Sequence, residues 1–384
     1  MEFNVRIFQS ALKVPLGELL QEADEINSKG LDLPFYGVNK DKEFMPTIAT
    51  TKGLNSKKYK IIRKGKFVFS GMQTGRDKCI RFALYQNSEP VLLSPAYTLL
   101  EVKDTEKVLP EYIYLYFLSS ERDRLGAFYS DASVRANLDL YRFFQIEIPL
   151  PSIDVQKQYV NAYCSLQKLA EQNEALAAPL KNACMSYLSD AQRRYDVFEL
   201  GNFITGVDFR NCDNIYGANS VKGLATSKKI IETKANLTGV SLTSYKIFPS
   251  RHFAYVEDTS RRGDKVSMAF NSTSENWLLS SISTVFKIID EETLSPEYLY
   301  LFFCRSEFDR LARFNSWGSA RETFPYQELQ RVKIPLPPIE VQRSIVALYN
   351  CAEEARAIAR EAREQLKKMA PAMVQRAANT PQEV

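Results

Sequence analysis

Basic side chains are concentrated in two stretches of this sequence, where they could neutralise the phosphates of a polyanion. Residues 40–81 hold twelve Lys and Arg against three acidic residues, although the net charge of the chain is only +4. Residues 222–251 hold six against one, so the excess recurs at a similar place in the second half. Such a local excess in a balanced chain is typical of nucleic-acid binding. A charged face that is merely solvated is the alternative.

Two loops between predicted strands carry side chains that could bond to base edges. They are residues 70–78 and 257–265. Arg pairs with guanine and Gln with adenine in the major groove, whereas polar hairpin tips are the plain alternative. The basic stretches and these loops together give the predicted DNA contacts Lys57, Lys58, Lys60, Arg63, Lys64, Gln73, Thr74, Arg76, Lys78, Lys222, Lys228, Lys229, Lys246, Arg261, Arg262 and Lys265.

Motifs for catalysis are missing from the sequence. It has no GxxxxGK[ST], no (N/D)PP(Y/F), no GxSxG and no HExxH pattern. The 6 cysteines are widely scattered and there is 1 histidine, which predicts no zinc site or His-ligated metal. We therefore expect a protein that is not an enzyme and holds no cofactor or metal of its own. Scattered thiols, no long apolar run and no signal-peptide core favour a cytoplasmic location.

The elements that must position these residues occur twice, because the chain is a tandem repeat. IPLPSIDVQ at Ile148–Gln156 recurs as IPLPPIEVQ at Ile334–Gln342, and PEYIYLYF at Pro110–Phe117 recurs as PEYLYLFF at Pro296–Phe303. Both pairs have the same offset, about 186 residues, which indicates a duplication. The segments 17–58 and 201–244 share almost nothing. One scaffold that presents two different surfaces is the interpretation we favour over drift in loops.

A long helix is predicted after each proline-rich block. Apolar residues follow at alternating spacings of about four and three, the pattern of a coiled-coil seam. The predicted seam positions are Val155, Tyr159, Ala162, Leu166, Leu169, Asn173, Leu176, Leu180, Ala183 and Tyr187 in the first helix, and Val341, Ile345, Leu348, Ala352, Ala355, Ala359, Ala362, Leu366, Met369 and Met373 in the second. We expect a kink or break near Pro179, and an end or bend at Pro371.

The predicted fold is α+β, with two similar α/β domains separated by two long helices that form an antiparallel coiled coil. Short strands are expected at residues 59–63, 66–70, 79–84 and 98–102, and a helix at 110–119. The predicted boundaries are residues 1–153 for the first domain, 154–194 for the central helix, 195–338 for the second domain and 339–384 for the C-terminal helix.

Two proline-rich blocks, each opening a long helix after a variable unit, resemble the specificity subunits of type I restriction–modification systems. The resemblance covers essentially the whole chain. Residues 131–138 and 318–324 look like the segment that precedes the proline block in that family, which adds Arg135 and Arg321 to the predicted DNA contacts. The Glu-Gln usual at the helix start is replaced by Val155-Gln156 and Val341-Gln342.

The resemblance implies two target-recognition domains, each reading one half of a bipartite site in double-stranded DNA. It implies helices that set the spacing and dock two DNA methyltransferase (modification) subunits. Restriction subunits with ATP-dependent nuclease activity are further expected partners, and no membrane is involved. S-adenosylmethionine and ATP would belong to the partner subunits. The alternatives are a bivalent protein scaffold that does not bind DNA, and the DNA-recognition part of a solitary modification enzyme.

Overall fold

The computed structural model describes residues 12–47, 53–131, 133–259, 265–318 and 321–379. The chain forms two compact units. Unit 1 consists of Met1–Gln172 and Ile358–Val384, and unit 2 of Asn173–Ala357. Both units are therefore built from a β-rich domain and segments of two long helices. None of the described helices is long and apolar enough to cross a membrane.

Unit 1 begins with short strands and helices and leads into the first long helix. Its strands are β1 (Lys13–Pro15), β2 (Leu20–Glu22), β3 (Phe35–Val38), β4 (Phe44–Pro46), β5 (Lys60–Ile62), β6 (Phe67–Ser70), β7 (Arg81–Leu84), β8 (Val91–Leu93), β9 (Thr98–Val102) and β10 (Glu147–Pro149). Its helices are α1 (Leu16–Leu19), α2 (Thr74–Asp77), α3 (Pro110–Phe117), α4 (Ser120–Tyr129), α5 (Leu140–Phe144) and the first part of α6 (Ile153–Arg194).

Unit 2 follows the same plan. Its strands are β11 (Val197–Glu199), β12 (Ile204–Val207), β13 (Lys222–Leu224), β14 (Ile230–Glu232), β15 (Lys246–Phe248), β16 (Phe253–Val256), β17 (Met268–Phe270), β18 (Trp277–Leu279), β19 (Ser283–Ile288) and β20 (Lys333–Pro335). Its helices are α7 (Pro296–Phe303), α8 (Ser306–Phe314), α9 (Tyr326–Arg331) and the first part of α10 (Ile339–Asn379).

The central sheet of each unit has four antiparallel strands in matching order. The order is β2-β9-β6-β7 in unit 1 and β12-β19-β16-β17 in unit 2. Unit 1 has a second four-stranded sheet, β4-β3-β8-β5. Among its described strand pairs, β3 and β8 are parallel, and the other two pairs are antiparallel. The equivalent region of unit 2 is divided into the two-stranded sheets β13-β14 and β15-β18. The units therefore share the sheet that carries the core and differ in the sheet beside it.

The inner strands β6 and β16 are buried on both faces, which explains why they lack alternating polar residues. Alternate residues of a strand point to opposite faces. In β6, Phe67 and Phe69 enter the large core against the helices, whereas Val68 enters a smaller core against the second sheet. In β16, Phe253 and Ala254 divide in the same way between the two cores of unit 2.

The structure contains a matched buried ion pair that the sequence comparison missed. The ammonium group of Lys42 lies 2.9 Å from the carboxylate of Asp123, and that of Lys228 lies 2.5 Å from Asp309. Asp123 Oδ1 also accepts a hydrogen bond from the amide of Ile80 at 2.9 Å, and Asp309 Oδ1 accepts one from the equivalent Val266 at 3.0 Å. The divergent first part of each repeat thus contains a lysine that forms the same buried ion pair with an aspartate of the similar second part.

The second long helix uses the predicted seam. Its buried positions are Ile345, Ala352, Ala355, Ala359, Ala362 and Leu366. Beyond Leu366, the side chains of the seam positions Met369 and Met373 lie outside the described residues. In unit 2, Cys184 of α6 donates from its thiol to the carbonyl oxygen of Ile345 at 3.7 Å. The end of α6 thus packs on the start of α10, as the predicted antiparallel pairing requires.

The seam predicted for the first helix is wrong by one residue. Its buried apolar positions are Val160, Ala170, Ala177, Cys184, Leu188 and Ala191, none of which belongs to the predicted set. Leu176, a predicted seam residue, is 54% exposed. Apolar residues stand next to each other at these places, so spacing alone fits either phase. Small residues occupy the real seam because they let two helix backbones approach closely.

The predicted break at Pro179 does not occur, since α6 continues without interruption to Arg194. A proline inside a helix leaves the carbonyl oxygen four residues earlier without its amide partner. Here that residue is Ala175, which is exposed, as is Pro179 itself. Water can therefore hydrate the freed carbonyl, so the helix persists. Of the two outcomes predicted at Pro371, an end does not occur, because α10 continues to Asn379, and a bend stays a prediction.

Candidate nucleic-acid interface

Two loops of unit 1 that carry predicted DNA contacts are bonded to each other. The amide of Gly75 donates to the carbonyl oxygen of Ala136 at 2.9 Å, and the amide of Leu138 donates to Gly71 at 2.8 Å. The amide of Gln73 donates to the side-chain oxygen of Asn137 at 2.9 Å. This loop pair, residues 71–78 and 131–138, therefore brings Gln73, Arg76 and Lys78 together with Arg135.

A glycine is required where the two loops meet. A Cβ atom at Gly71 would lie 1.6 Å from the carbonyl oxygen of Leu138, so no larger residue fits. The second loop is closed by Asp131, whose Oδ1 accepts hydrogen bonds from the amides of Ser133 at 3.1 Å and Asn137 at 3.0 Å. The hydroxyl of Ser133, followed by these amides, lowers the pKa of Asp131. The tip of this closed loop carries Arg135 outward into solvent.

Helix α4 supports this loop pair from behind. Its Gly126 packs so tightly that an added Cβ would lie 2.3 Å from Cγ1 of Ile80, at the entry to β7. The hydroxyl of Ser130, one residue after α4, donates to the carbonyl oxygen of Gly126 at 2.9 Å. The loops are thus fixed by the strands and helix of the repeated frame.

Unit 2 builds an equivalent loop pair, of which the structure describes residues 257–259, 265, 317–318 and 321–324. The amide of Thr259 donates to the carbonyl oxygen of Glu322 at 2.9 Å, and the amide of Phe324 donates to Glu257 at 2.8 Å. Arg321 is exposed beside this contact. The predicted contacts Arg261 and Arg262 lie outside the described residues.

Nine of the predicted contacts are open to an anionic ligand. All are exposed, and within the described part of the chain none has a carboxylate within 4.0 Å. They are Lys57, Lys58, Lys64, Arg76, Lys78, Arg135, Lys229, Lys265 and Arg321. The group in unit 1 divides between the two sheets: the residues at 57–64 flank β5, and those at 76–78 flank β7. These nine remain the predicted contacts with the phosphates and bases of DNA.

Four other predicted contacts already have acidic partners. Lys60 lies 2.5 Å from Asp24, and Lys222 lies 2.5 Å from Glu232. Lys246 lies 3.3 Å from Asp208. Arg63 donates to both carboxylate oxygens of Glu25, at 2.8 and 3.0 Å, and this bond lowers the pKa of that carboxyl. Several of these acids lie outside the basic stretches, so a count of charges within a stretch overstates its free positive charge.

Two residues that were predicted to contact DNA are buried, so the prediction is wrong for both. Thr74 is fully buried, and its hydroxyl donates to the carbonyl oxygen of Gly71 at 3.0 Å, so it cannot reach a base. Lys228 is only 4% exposed and is held by Asp309 and by the carbonyl oxygen of Val266 at 2.8 Å. Its pKa is lowered, first of all by burial. Both side chains stabilise the loops that carry their exposed neighbours.

A pair of exposed aromatic residues was missed from the sequence. Phe128 at the end of α4 is 81% exposed, and Phe314 at the end of α8 is 87% exposed. They occupy equivalent places in the two repeats, each preceded four residues earlier by an exposed arginine, Arg124 or Arg310. Aligning the two repeats places these two phenylalanines at the same position, so the sequence could have identified the pair.

Among the described residues, no group of His, Cys, Asp and Glu side chains is arranged to hold a metal ion. The pKa values of buried thiols such as Cys184 and Cys304 are raised by burial, which keeps them protonated. The arrangement is suited to binding an extended anion with exposed cations, amides and aromatic rings.

Comparison with known proteins identifies the family of the first domain. Residues 16–178 match the family model described as the type I restriction modification DNA specificity domain. No curated protein sequence matches the chain. The S subunit of a type I restriction-modification system from M. genitalium has a similar fold, with a TM-score of 0.57, 11% identity, and coverage of 100% of this chain and 99% of that one.

Two further solved structures align over nearly the whole chain. One is the HsdS subunit from Thermoanaerobacter tengcongensis, with a TM-score of 0.43, 16% identity, and coverage of 99% of this chain and 100% of that one. The other comes from a study of complex assembly and conformational transition of the type I R-M system, with a TM-score of 0.40, 15% identity, and coverage of 97% and 98%.

Residues 16–178 thus match the type I restriction–modification DNA specificity domain, and unit 2 repeats the helix and proline-rich motifs of that segment. The family match covers the first β-rich domain and the start of the first long helix. The likeness to the M. genitalium S subunit confirms the predicted fold class, and the family match supports the predicted family over residues 16–178.

Proposed function

We propose that each unit reads one half of a bipartite site in double-stranded DNA through its loop pair. Exposed cations such as Lys57 and Lys58 contact phosphates and set the position of the domain on the duplex, because phosphate contacts carry no sequence information. Gln73, Arg76 and Arg135 in unit 1, and Arg321 in unit 2, read base edges. The observation that carries this proposal is the loop pair, built by the same frame in both units from different residues.

The helices have two roles in this proposal: they set the separation of the two half-sites, and they dock two methyltransferase subunits. The docking role rests on the family match, which extends into α6 as far as residue 178. Inserting one heptad after Leu169 keeps the seam in phase and adds about 10.5 Å of helix. If the helices set the spacing of the half-sites, affinity for the original site falls, and any recovery requires a site with a longer spacer. If the preferred spacer length does not change, the helices only dock partner subunits.

Methylation mapping tests the division of labour. The chain is co-expressed with its methyltransferase companion, and modified sites are located by sequencing genomic DNA. We expect Arg135→Ala to relax or abolish recognition in one half of the site, and Arg321→Ala to do so in the other half. Loss of a bidentate base contact costs about 1–3 kcal/mol of discrimination.

The two variants control for each other, because they change the same residue type at equivalent positions. A further exchange of residues 1–147 for those of a related protein should replace one half of the site and leave the other intact. If either change altered both halves, the model of two independent readers would be wrong. DNA affinity that does not depend on salt concentration would instead favour the protein scaffold, since phosphate binding releases counterions.

A further inference from the structure

Unit 2 contains an open polar cavity of about 970 Å³ that the DNA-reading model does not use. Its walls come from the last turns of α6, the first half of α10, the start of α8 and the turn before β14. Two of the exposed lysines, Lys229 and Lys265, line it. Cavities of this size, with a few convergent polar groups, are where proteins hold small ligands or single groups of a larger one.

The cations of this cavity outnumber its available carboxylates. Each lining carboxylate already has a cationic partner: Asp190 with Arg194 at 3.4 Å, Glu307 with Arg310 at 3.7 Å, Asp309 with Lys228 at 2.5 Å and Glu353 with Arg356 at 2.7 Å. By contrast, four lining cations have no carboxylate within 4.0 Å among the residues that the structure describes: Lys181, Lys229, Lys265 and Arg305. The cavity is therefore positively charged where it is open.

Arg305 is the most unusual of these cations, because it is only 6% exposed. Its Nε donates to the carbonyl oxygen of Phe302 and its Nη1 to that of Leu188, each at 3.4 Å. Its guanidinium carbon lies 4.2 Å from the ring centroid of Phe302. Among the described residues, Nη2 makes no hydrogen bond, and it keeps some contact with solvent. A buried cation with two long bonds to neutral oxygens and no anion is costly, and burial lowers its pKa.

Arg305 is also the residue at which helix α8 begins. The first amides of a helix have no partner within it, and they carry the positive end of the helix dipole. No side chain caps these amides at Arg305. The start of α8, Arg305 and the three lysines thus line the same cavity. In unit 1 the corresponding residue is Ser119, whose hydroxyl caps α4 by accepting from the amide of Glu121 at 3.3 Å.

We propose that this cavity binds a phosphate group, held by Nη2 of Arg305 and the first amides of α8 and neutralised by Lys181, Lys229 and Lys265. Helix starts and guanidinium groups are both frequent protein partners of phosphate. The phosphate belongs either to the backbone of bound DNA or to a free phosphorylated molecule. Because Ser119 closes the equivalent helix start, unit 1 has no such site there.

Calorimetric titration of the full chain with sodium pyrophosphate at fixed ionic strength tests the proposal. We expect one saturable site per chain. Arg305→Gln and the double change Lys229→Ala with Lys265→Ala should each weaken it by about tenfold or more, as expected for lost charge-assisted bonds. The two lysines are exposed, so their removal leaves the fold intact, and thermal unfolding verifies this. Lys234→Ala, an exposed lysine of unit 2 outside the cavity, is the matched control.

Competition with duplex DNA identifies the source of the phosphate. If DNA displaces pyrophosphate and the lysine variant weakens DNA binding, the backbone occupies the cavity. If DNA and pyrophosphate bind together, the ligand is a free phosphorylated molecule. Absence of saturable binding, or binding unchanged in the lysine variant, overturns the site. Pyrophosphate binding by a chain that does not bind DNA would refute the DNA-reading model and leave this site standing.

Discussion

Gln156 and Gln342 make the same three hydrogen bonds in the two units. The side-chain oxygen of Gln156 accepts from the amide of Leu109 at 2.9 Å, and its Nε2 donates to two backbone carbonyls, of Lys107 and Pro151. Gln342 bonds in the same way to Ser295, and to carbonyls of two further residues, at 2.8 to 3.0 Å. Each glutamine is fully buried and fastens the start of a long helix to the β-rich domain before it.

Replacing Gln156 by leucine should therefore destabilise unit 1. The change leaves one amide and two carbonyl groups without partners in a dry environment, which costs about 2–4 kcal/mol in the free energy of unfolding. Gln342→Leu should have an effect of the same size on unit 2. Urea unfolding measures both, with Gln172→Leu on the exposed face of α6 as control. Variants as stable as the parent would show that these bonds do not hold the helix starts.

Removing Lys57 and Lys58 together should weaken binding to every DNA sequence alike. The slope of log affinity against log salt concentration should fall by up to about 2, since each phosphate contact contributes about 0.9. Lys60→Ala is the matched control, because the bond to Asp24 already occupies its ammonium group. Filter binding or anisotropy between low and moderate salt gives the slope. A larger change for Lys60 than for the exposed pair would contradict this assignment.

Phe128→Ala and Phe314→Ala should each reduce DNA affinity by about tenfold while changing stability by less than about 0.5 kcal/mol. The first effect is expected because exposed apolar side chains beside basic loops can insert between base steps. The second follows from the exposure of both rings. Tyr141→Ala is the comparison, as this exposed ring has Gln327 at the equivalent position of unit 2. Normal DNA binding with impaired assembly would instead place both rings against a protein partner.

Two alanines of α6 in unit 2 distinguish the observed seam from the predicted one. Ala177 is buried at 4% exposure, whereas Ala183, a predicted seam position, is exposed. Ala177→Leu should cost about 1–3 kcal/mol through overpacking. Ala183→Leu should be nearly neutral, because the added carbons stay in solvent. Thermal unfolding of the two variants measures the difference, and a reversed order would restore the predicted phase.

Thiol labelling should report the packing of the same helix pair. Burial raises the pKa of Cys184 to about 11, so at pH 8 about one thiol in a thousand is ionised. Since the thiolate is the reactive form, labelling by iodoacetamide should be very slow and should rise with pH toward that value. The exposed Cys212 and Cys351 should react readily. Fast labelling of Cys184 at pH 8 would mean that the helices separate in solution.

The repeated elements were predictable because their patterns are local. The aromatic run at Pro110–Phe117 forms α3 as expected, and the strand predicted at 98–102 is β9. Residue type and spacing determine such elements directly. The same offset also located both loop pairs, since the frame that holds them is duplicated.

The seam of α6 and the availability of the basic residues were not predictable in this way. Apolar residues stand side by side at Leu176 and Ala177, so binary pattern cannot tell which one faces the partner helix. Lys60 and Arg63 are occupied by acids, Asp24 and Glu25, that lie well before them in the chain. The buried face of the helix and the ion pairs of these basic residues both depend on contacts between distant segments of the chain. A count of residue types within one stretch gives no information about such contacts.

The division of α10 between the units has a consequence for the order of folding. Its segment from Ile358 belongs to unit 1, although everything in unit 2 precedes it in the chain. A ribosome that makes the chain from its N-terminus therefore completes every part of unit 2 before it releases the last helix segment of unit 1. Unit 1, whose β-rich domain is translated first, can therefore be completed only after the whole of unit 2 has been synthesised.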